Sequence, residues 1–149
     1  MGYVIASLLG YLLGCSNLAY FISLARKYDI RRSGTGNLGA SNATVLFGWK
    51  AGVAVAVHDA GKALLAVLLT KLLFPDLEYA GAAAGVAAVL GHNFPFYLNF
   101  KGGKGTASFV GLTLYIRWNL YRFSWKRSTG SKDLAFLRNF SKRKYVTFC

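Results

Sequence analysis

The sequence has few acidic residues, few cysteines and little charge overall. Five Asp and Glu stand against 18 Lys and Arg, and 15% of the 149 residues are charged, whereas 54% are hydrophobic. Such hydrophobicity excludes a disordered chain, because disorder requires low hydrophobicity together with high charge. The two cysteines exclude a disulfide-stapled scaffold, since one of them, Cys15, lies in an apolar run. The net charge of +13 indicates a negatively charged partner, either nucleic acid or an anionic membrane surface.

The positive charge is concentrated at one end of the chain. Residues 1–116 carry nine Lys and Arg against four Asp and Glu, a net charge of +5. Residues 117–149 carry nine basic residues against one acid, Asp133, a net charge of +8. The composition therefore predicts two parts: a largely apolar part, 1–116, and a basic, aromatic tail, 117–149.

The first two apolar stretches are long enough to cross a membrane. Residues 3–25 contain no charged side chain, and as a helix they reach roughly 34 Å, enough for a hydrocarbon core of ~30 Å. A cleaved signal peptide fits poorly, because the basic residues Arg26 and Lys27 follow the apolar run instead of preceding it. The second stretch, 51–74, is of similar length and is also predicted to span.

Two further apolar stretches complete the predicted membrane part. One begins at Tyr79, and the spacing of its Gly81 and Gly85 allows helix backbones to approach closely in lipid, until Pro95 breaks or kinks the helix. The other, 106–116, is expected to stop at Arg117, too short to span. The sequence therefore predicts an all-α, polytopic helical membrane protein with three to four membrane segments.

Two glycine-rich loops, 29–42 and 101–105, lie between these segments. Basic residues flank or occupy both loops, whereas the intervening turn carries Asp76 and Glu78 and no basic residue. By the positive-inside rule, both loops face the cytoplasm and the N-terminus faces outward. The loops are thus expected on the same side of the membrane.

The first loop contains Gly34-Thr35-Gly36-Asn37-Leu38-Gly39, which fits G-x-G-x-x-G. We reject a dinucleotide fingerprint, because that motif requires a preceding strand and a βαβ unit, and a predicted membrane helix precedes this one. Two interpretations remain. Either glycine N–H groups leading into a helix start at Ser41 and Asn42 form an anion-binding nest beside Arg31 and Arg32, or the segment is an ordinary flexible loop.

The second loop, Lys101-Gly102-Gly103-Lys104-Gly105-Thr106, resembles the end of a Walker A loop but lacks a hydroxyl residue directly after a lysine. Since both loops are basic and are expected on one side, together they could enclose a phosphate. The alternative is that the lysines anchor the chain to anionic lipid.

The second apolar stretch contains three ionisable residues, His58, Asp59 and Lys62, on one side of the predicted helix. Groups at that depth usually face a bundle interior or a wet cavity. Either Asp59 and Lys62 form a self-neutralising pair that fixes helix packing, or they contact substrate. His92 and Asn93, at the predicted helix break, either bind a ligand or satisfy freed backbone groups. No Ser-His-Asp arrangement and no metal-ligand spacing is legible in the sequence.

Together these stretches resemble the bacterial acyl-phosphate–glycerol-3-phosphate acyltransferases, integral membrane enzymes of phospholipid synthesis. The matching segments keep the family's order and spacing over roughly residues 3–116; they are 34–42, Asp59 with Lys62, 90–95 and 100–106. The resemblance implies transfer of an acyl group from acyl phosphate to the 1-hydroxyl of sn-glycerol 3-phosphate. The implied products are 1-acylglycerol 3-phosphate (lysophosphatidate) and phosphate, and no cofactor or metal is implied.

The resemblance also implies roles for individual residues. Thr35 and Lys104 match catalytic positions, and Asp59 and Lys62 are expected to support the site. Substrate or phosphate contacts are implied for Gly34, Gly36, Asn37, Ser41, Asn42, His92, Lys101, Gly102, Gly103 and Gly105. The expected partners are the two substrates and membrane lipid, without nucleic acid, at the bacterial inner (plasma) membrane.

The basic tail, 117–149, lies outside this resemblance. Its Trp118, Tyr121 and Trp125 are spaced as on one side of a basic amphipathic helix at the membrane surface. Basic residues with interleaved aromatics also suit an RNA-binding tail. We favour a third hypothesis, a frameshift near Ile116. On this interpretation the chain is a truncated acyltransferase of doubtful activity. The alternative is a non-catalytic small membrane protein, such as a transporter subunit or a phosphate-binding module.

Overall fold

The computed structural model describes residues 1–121 and 124–125, and all regular structure among these residues is helical. The chain divides into two compact units, Met1–Tyr115 and Ile116–Cys149. The first unit contains α1 (Gly2–Cys15), α2 (Leu18–Ala25), α3 (Ala40–Phe47), α4 (Trp49–Leu73), α5 (Ala80–Asn93) and the helical residues 106–115, named α6. The prediction of an all-α protein is confirmed for the described residues.

In the second unit, residues 116–121 and 124–125 are helical. Helical structure thus continues past Arg117, where the sequence predicts the end of the apolar segment, because arginine is a good helix former and a single charge does not end a helix. That this apolar segment is too short to span stays a prediction. Of the basic tail, 117–149, residues 122–123 and 126–149 lie outside the described residues, and all three interpretations of the tail stay hypotheses.

The first apolar stretch forms two helices, where the sequence predicts one. Ser16 and Asn17 separate α1 from α2, and the Asn17 side chain caps α2 by accepting a hydrogen bond from the N–H of Tyr20 at 3.1 Å. The apolar composition conceals this break, although Asn17 immediately before an apolar run is a typical N-cap signal.

Two stretches are long and apolar enough to cross a membrane, judged by length and composition: Gly2–Ala25 and Trp49–Leu73. Both carry large apolar side chains that no other part of the unit covers, such as Leu12, Leu68 and Leu72. Many exposed large apolar side chains are typical of a membrane or protein interface. The finer count of three to four membrane segments stays a prediction.

Small residues allow α5 to pack closely on both sides. Gly10 and Gly14 of α1 contact the backbone of Ala84 and Ala88, where an added Cβ would overlap the carbonyl oxygens. On another face, a Cβ at Gly85 would overlap Leu112 of α6 and lie 2.9 Å from Val67 of α4. The sequence predicts close backbone approach at Gly81 and Gly85, but both face side chains of α4 and α6, and the close backbone contacts of α5 are with Gly10 and Gly14 of α1. This packing holds α5, which carries His92 near its end.

Candidate active site

The first glycine loop is held in shape by one buried side chain, that of Asn42 in the first turn of α3. Its Oδ1 accepts a hydrogen bond from the N–H of Thr35 at 2.9 Å. Its Nδ2 donates to three loop carbonyls at 3.0–3.2 Å, those of Ile30, Ser33 and Asn37. Asn42 is fully buried, so both ends of this amide are used by the loop itself.

The predicted anion nest does not include the N–H groups of Thr35 and Gly36. The N–H of Gly36 donates to the carbonyl of Ser33 at 3.0 Å, and that of Thr35 is taken by Asn42. The unpaired N–H groups lie instead at the start of α3, because the first residues of a helix, here Ala40 and Ser41, have no intrahelical acceptor.

Salt bridges stabilise the entrance to this loop. Asp29 accepts hydrogen bonds from the backbone N–H of Arg31 at 3.1 Å and from its Nε at 3.0 Å. These bonds hold the pKa of the Asp29 carboxyl below its usual range. Arg31 also lies over the ring of Tyr20 at 5.8 Å. Because Arg31 already forms a salt bridge with Asp29, its positive charge is largely neutralised within the loop.

The second glycine loop is fastened to the end of α5 by backbone hydrogen bonds. The N–H of Gly102 donates to the carbonyl of Asn93 at 2.9 Å, and that of Gly103 to the carbonyl of His92 at 3.1 Å. Gly103 also packs against the imidazole of His92, where an added Cβ would overlap Nε2. The loop therefore requires glycine at this position because the ring leaves no space for a side chain. Lys104 follows directly and is exposed.

A cavity of about 310 Å³ lies between the two loops. Its walls come from both loops, from the first turns of α3 and α6, and from one side chain each of α4 and α5: Thr35, Asn37, Gly39, Ala40, Ser41, Asp59, His92, Lys104, Gly105, Thr106, Ala107 and Val110. The starts of two helices thus meet at one cavity, which brings unpaired N–H groups and the positive ends of two helix dipoles to its wall. With Lys104, this arrangement favours an anion such as phosphate.

A buried ionic cluster forms the base of the site. Asp59 and Lys62 of α4 and His92 of α5 are all at most 5% exposed. Lys62 Nζ lies 3.1 Å from Asp59 Oδ1 and 2.8 Å from His92 Nδ1, and it also donates to the carbonyl of Ser16. Since Lys62 neutralises Asp59, the carboxylate at the cavity wall does not repel an anion strongly. The self-neutralising pair is therefore present, and Asp59 also lines the cavity, whereas the other alternative, contact with substrate, stays a prediction.

The structure also contains a serine–histidine–aspartate series that the sequence analysis missed. Ser16 Oγ lies 3.1 Å from His58 Nε2, and His58 Nδ1 lies 3.4 Å from Asp59 Oδ1. No such arrangement is legible in the sequence, because Ser16 is 42 positions from His58. Neither Ser16 nor His58 lines the cavity described above, and the series joins the linker between α1 and α2 to α4.

The predicted site residues therefore divide into two groups. Those that line the cavity are Thr35, Asn37, Ser41, Asp59, His92, Lys104 and Gly105. Those that lie outside its lining are Gly34, Gly36, Asn42, Lys62, Lys101, Gly102 and Gly103. The members of the second group shape the loops or the ionic cluster, except for Lys101, which is exposed. Sequence reasoning did not assign to the site the other lining residues, which are Gly39, Ala40, Thr106, Ala107 and Val110.

Comparison with known proteins gives one consistent family. A family model described as glycerol-3-phosphate acyltransferase matches residues 4–125. The glycerol-3-phosphate acyltransferase of Pseudothermotoga lettingae is 43% identical over 112 residues, which are 75% of this chain and 56% of that protein. Glycerol-3-phosphate acyltransferase 1 of Oceanobacillus iheyensis is 41% identical over 128 residues, covering 80% of this chain and 61% of that protein.

Two crystal structures are also similar to this fold. Both are of PlsY (YgiH), an integral membrane glycerol 3-phosphate acyltransferase. Its glycerol 3-phosphate form has a TM-score of 0.72 at 32% identity, and its lysophosphatidic acid form has a TM-score of 0.69 at 31% identity. Each comparison covers 84% of this chain and 62% of PlsY. The chain thus spans 56–62% of the length of these relatives.

Proposed function

The chain belongs to the glycerol-3-phosphate acyltransferase family, and from that premise we propose that it transfers an acyl group from acyl phosphate to the 1-hydroxyl of glycerol 3-phosphate. The products are 1-acylglycerol 3-phosphate and inorganic phosphate, and the reaction belongs to phospholipid synthesis. The family name and the ligands of the PlsY structures support the acceptor and the acylated product.

One observation carries this proposal: Lys104 lies at a cavity where the first turns of α3 and α6 meet. Both substrates carry a phosphate, and a site of this kind binds phosphate through a cation and backbone N–H groups together. We assign Lys104 as the main charged contact of the substrate phosphate, and the backbone of Gly105 and the following turn as its neutral contacts.

The reaction needs little covalent chemistry from the protein. The 1-hydroxyl oxygen attacks the acyl carbon of the mixed anhydride, the bond between that carbon and the phosphate oxygen breaks, and phosphate leaves. The departing phosphate accepts the hydroxyl proton, so no side-chain base is required. The chain then acts by positioning the substrates and by stabilising negative charge as it develops. Thr35, Asn37 and Ser41, whose side chains lie at the same cavity, are assigned to hydrogen bonds with substrate oxygens.

We further propose that the chain works at the bacterial inner membrane, with both glycine loops on the cytoplasmic side. Two membrane-capable stretches and their uncovered leucines support a membrane location. The basic residues around both loops support their orientation, because cytoplasmic loops carry an excess of Lys and Arg. The acyl chain of the donor can then remain in lipid while its phosphate enters the cavity.

The decisive measurement is phosphate release from acyl phosphate by membranes that contain the full chain, with and without glycerol 3-phosphate. The proposal predicts that release depends on glycerol 3-phosphate and equals the amount of 1-acylglycerol 3-phosphate formed. Acyl-CoA in place of acyl phosphate should give no product. Glycerol 3-phosphate binding without phosphate release would instead identify a phosphate-binding protein without catalysis and would overturn the proposal.

A further inference from the structure

The hydrogen bonds of Lys62 determine which nitrogen of His92 carries a proton. A lysine ammonium has three N–H donors and no acceptor. Here those donors have three acceptors: Asp59 Oδ1 at 3.1 Å, His92 Nδ1 at 2.8 Å and the carbonyl of Ser16. Because Lys62 can only donate, His92 Nδ1 must accept, and a neutral imidazole that accepts at Nδ1 carries its proton on Nε2.

The competing arrangement would place the proton on Nδ1, where it would face Asp59. The distance from His92 Nδ1 to Asp59 Oδ1 is 3.4 Å, beyond the 2.7–3.2 Å range of a typical N–H···O hydrogen bond. The contact with Lys62 is within that range, so geometry favours the Nε2–H form. His92 Nε2 has no hydrogen-bond partner among the described residues; it lies beside Gly103, and His92 is one of the residues that line the cavity.

We propose that Lys62 is a positioning residue that holds His92 in its Nε2–H form, so that His92 presents a hydrogen-bond donor, and no base, to a substrate oxygen beside Lys104. This rests on the proposed acyl transfer. Its consequence is that His92 binds developing negative charge on a phosphoryl or acyl oxygen, while proton acceptance is left to the leaving phosphate. Asp59 serves by keeping Lys62 charged, and therefore donating.

The protonation state can be measured without any turnover. The full chain is labelled with ¹⁵N-histidine in detergent micelles, and each imidazole nitrogen is observed by NMR. The chain has two histidines, so His58→Gln assigns the remaining signals to His92. The proposal predicts a proton on Nε2 and none on Nδ1. A proton on Nδ1, or on both nitrogens, overturns it whether or not the chain is active.

Removal of the Lys62 donor tests the causal step. In Lys62→Met, Asp59 is the only charged neighbour of Nδ1, so the proton is expected to move to Nδ1. The double variant Asp59→Asn with Lys62→Met keeps the cluster neutral and covers the case in which the single variant does not fold. Its Nδ1 has lost the ammonium donor as well as the carboxylate, so the Nε2–H form should lose its dominance and both tautomers should be observed. Lys71→Met is the matched control. Lys71 lies on the same helix as Lys62, but its ammonium lies over the ring of Tyr115, so the His92 spectrum should be unchanged. An unchanged spectrum in the folded Lys62 variants would contradict the proposal.

Kinetics separate positioning from simple structural support. Loss of a charge-stabilising donor lowers kcat by roughly 10²-fold, so His92→Phe and Lys62→Met should each lower kcat by about that factor with little change in KM for glycerol 3-phosphate.

Because Lys62 acts through His92, Lys62→Met should have no further effect in the His92→Phe background. His92→Gln, which keeps an N–H near the Nε2 position, should retain more activity than His92→Phe and be insensitive to Lys62→Met. Independent, multiplying losses would contradict the proposal, whereas inactive wild type with an Nε2–H signal would contradict only the acyl-transfer assignment.

Discussion

The side chain of Asn42 accepts a hydrogen bond from the N–H of Thr35 at 2.9 Å. Through this bond, α3 fixes the conformation of a loop that lies seven residues earlier in the chain. The Nδ2 of the same amide donates hydrogen bonds to three loop carbonyls. The loop therefore presents Thr35 to the cavity in a defined position, although Thr35 itself is exposed. An asparagine is suited to this task because only its amide combines an acceptor and two donors in so short a side chain.

Asn42→Ala should destabilise the fold. It leaves buried backbone groups without partners, each at a cost of about 1–3 kcal/mol, so we expect a clearly lower thermal midpoint in detergent. Ser41→Ala is the matched control, since Ser41 is exposed on the same turn. It should leave the midpoint within a degree or two. Equal midpoints for the two variants would show that the Asn42 hydrogen bonds do not stabilise the loop.

Lys104 and Lys101 should differ sharply although they belong to one loop. Lys104 lines the cavity and Lys101 does not. A hydrogen bond from a charged donor contributes about 1.5–3 kcal/mol; Lys104→Ala should therefore raise KM for glycerol 3-phosphate by roughly 10- to 100-fold. Lys101→Ala should change KM by less than about two-fold, as expected for an exposed charge. The measurement is initial phosphate release as a function of glycerol 3-phosphate concentration. An unchanged KM in Lys104→Ala would remove Lys104 from the phosphate site.

Gly103→Ala should impair the site without removing any functional group. The new methyl group would overlap His92 Nε2, so either the ring or the loop carrying Lys104 must move. Displacement of a reacting group by about 1 Å can cost roughly 10²-fold in rate, and we expect a loss of that order in kcat/KM. Gly61→Ala is the control, because nothing lies within 4 Å of its added Cβ and the position is within α4. It should preserve activity and raise stability by up to about 1 kcal/mol.

The sequence is sufficient to predict most helices and the two loops, because apolar runs and glycine clusters are local signals. The glycine pattern of α5 is also informative: Gly81 and Gly85 predict close packing, and Gly85 fits against Leu112 and Val67. The break at Ser16 and Asn17 is harder to predict. It interrupts an otherwise uniform apolar run. The side-chain partners of Ser16 are His58 and Lys62 of α4, which lie 42 and 46 positions away.

The roles of the site residues depend on tertiary structure even where their identities can be predicted. The sequence groups Asn42 with Ser41 as phosphate contacts, yet only Ser41 lines the cavity and Asn42 is buried beneath the loop. Adjacent residues on a helix face different directions, and which one faces the loop is decided by the packing of α3. Likewise, Lys62 and His92 are 30 positions apart, and their hydrogen bond follows from the position of α5 against α4.

A site shared by the two glycine loops requires both loops to lie on the same side of the membrane, and cysteine labelling can test this. Single cysteines at Ser33 and Lys101 replace polar loop residues outside the cavity lining, and a third at Glu78 marks the intervening turn. With Cys15 and Cys149 changed to alanine, a membrane-impermeant thiol reagent should label the Ser33 and Lys101 positions only after the cytoplasmic side is made accessible. The Glu78 position should react in intact cells, because the acidic turn is expected on the opposite side. If the Ser33 and Lys101 positions reacted from opposite sides, the loops could not close one cavity, and neither the phosphate site nor the role of Lys104 in it could stand.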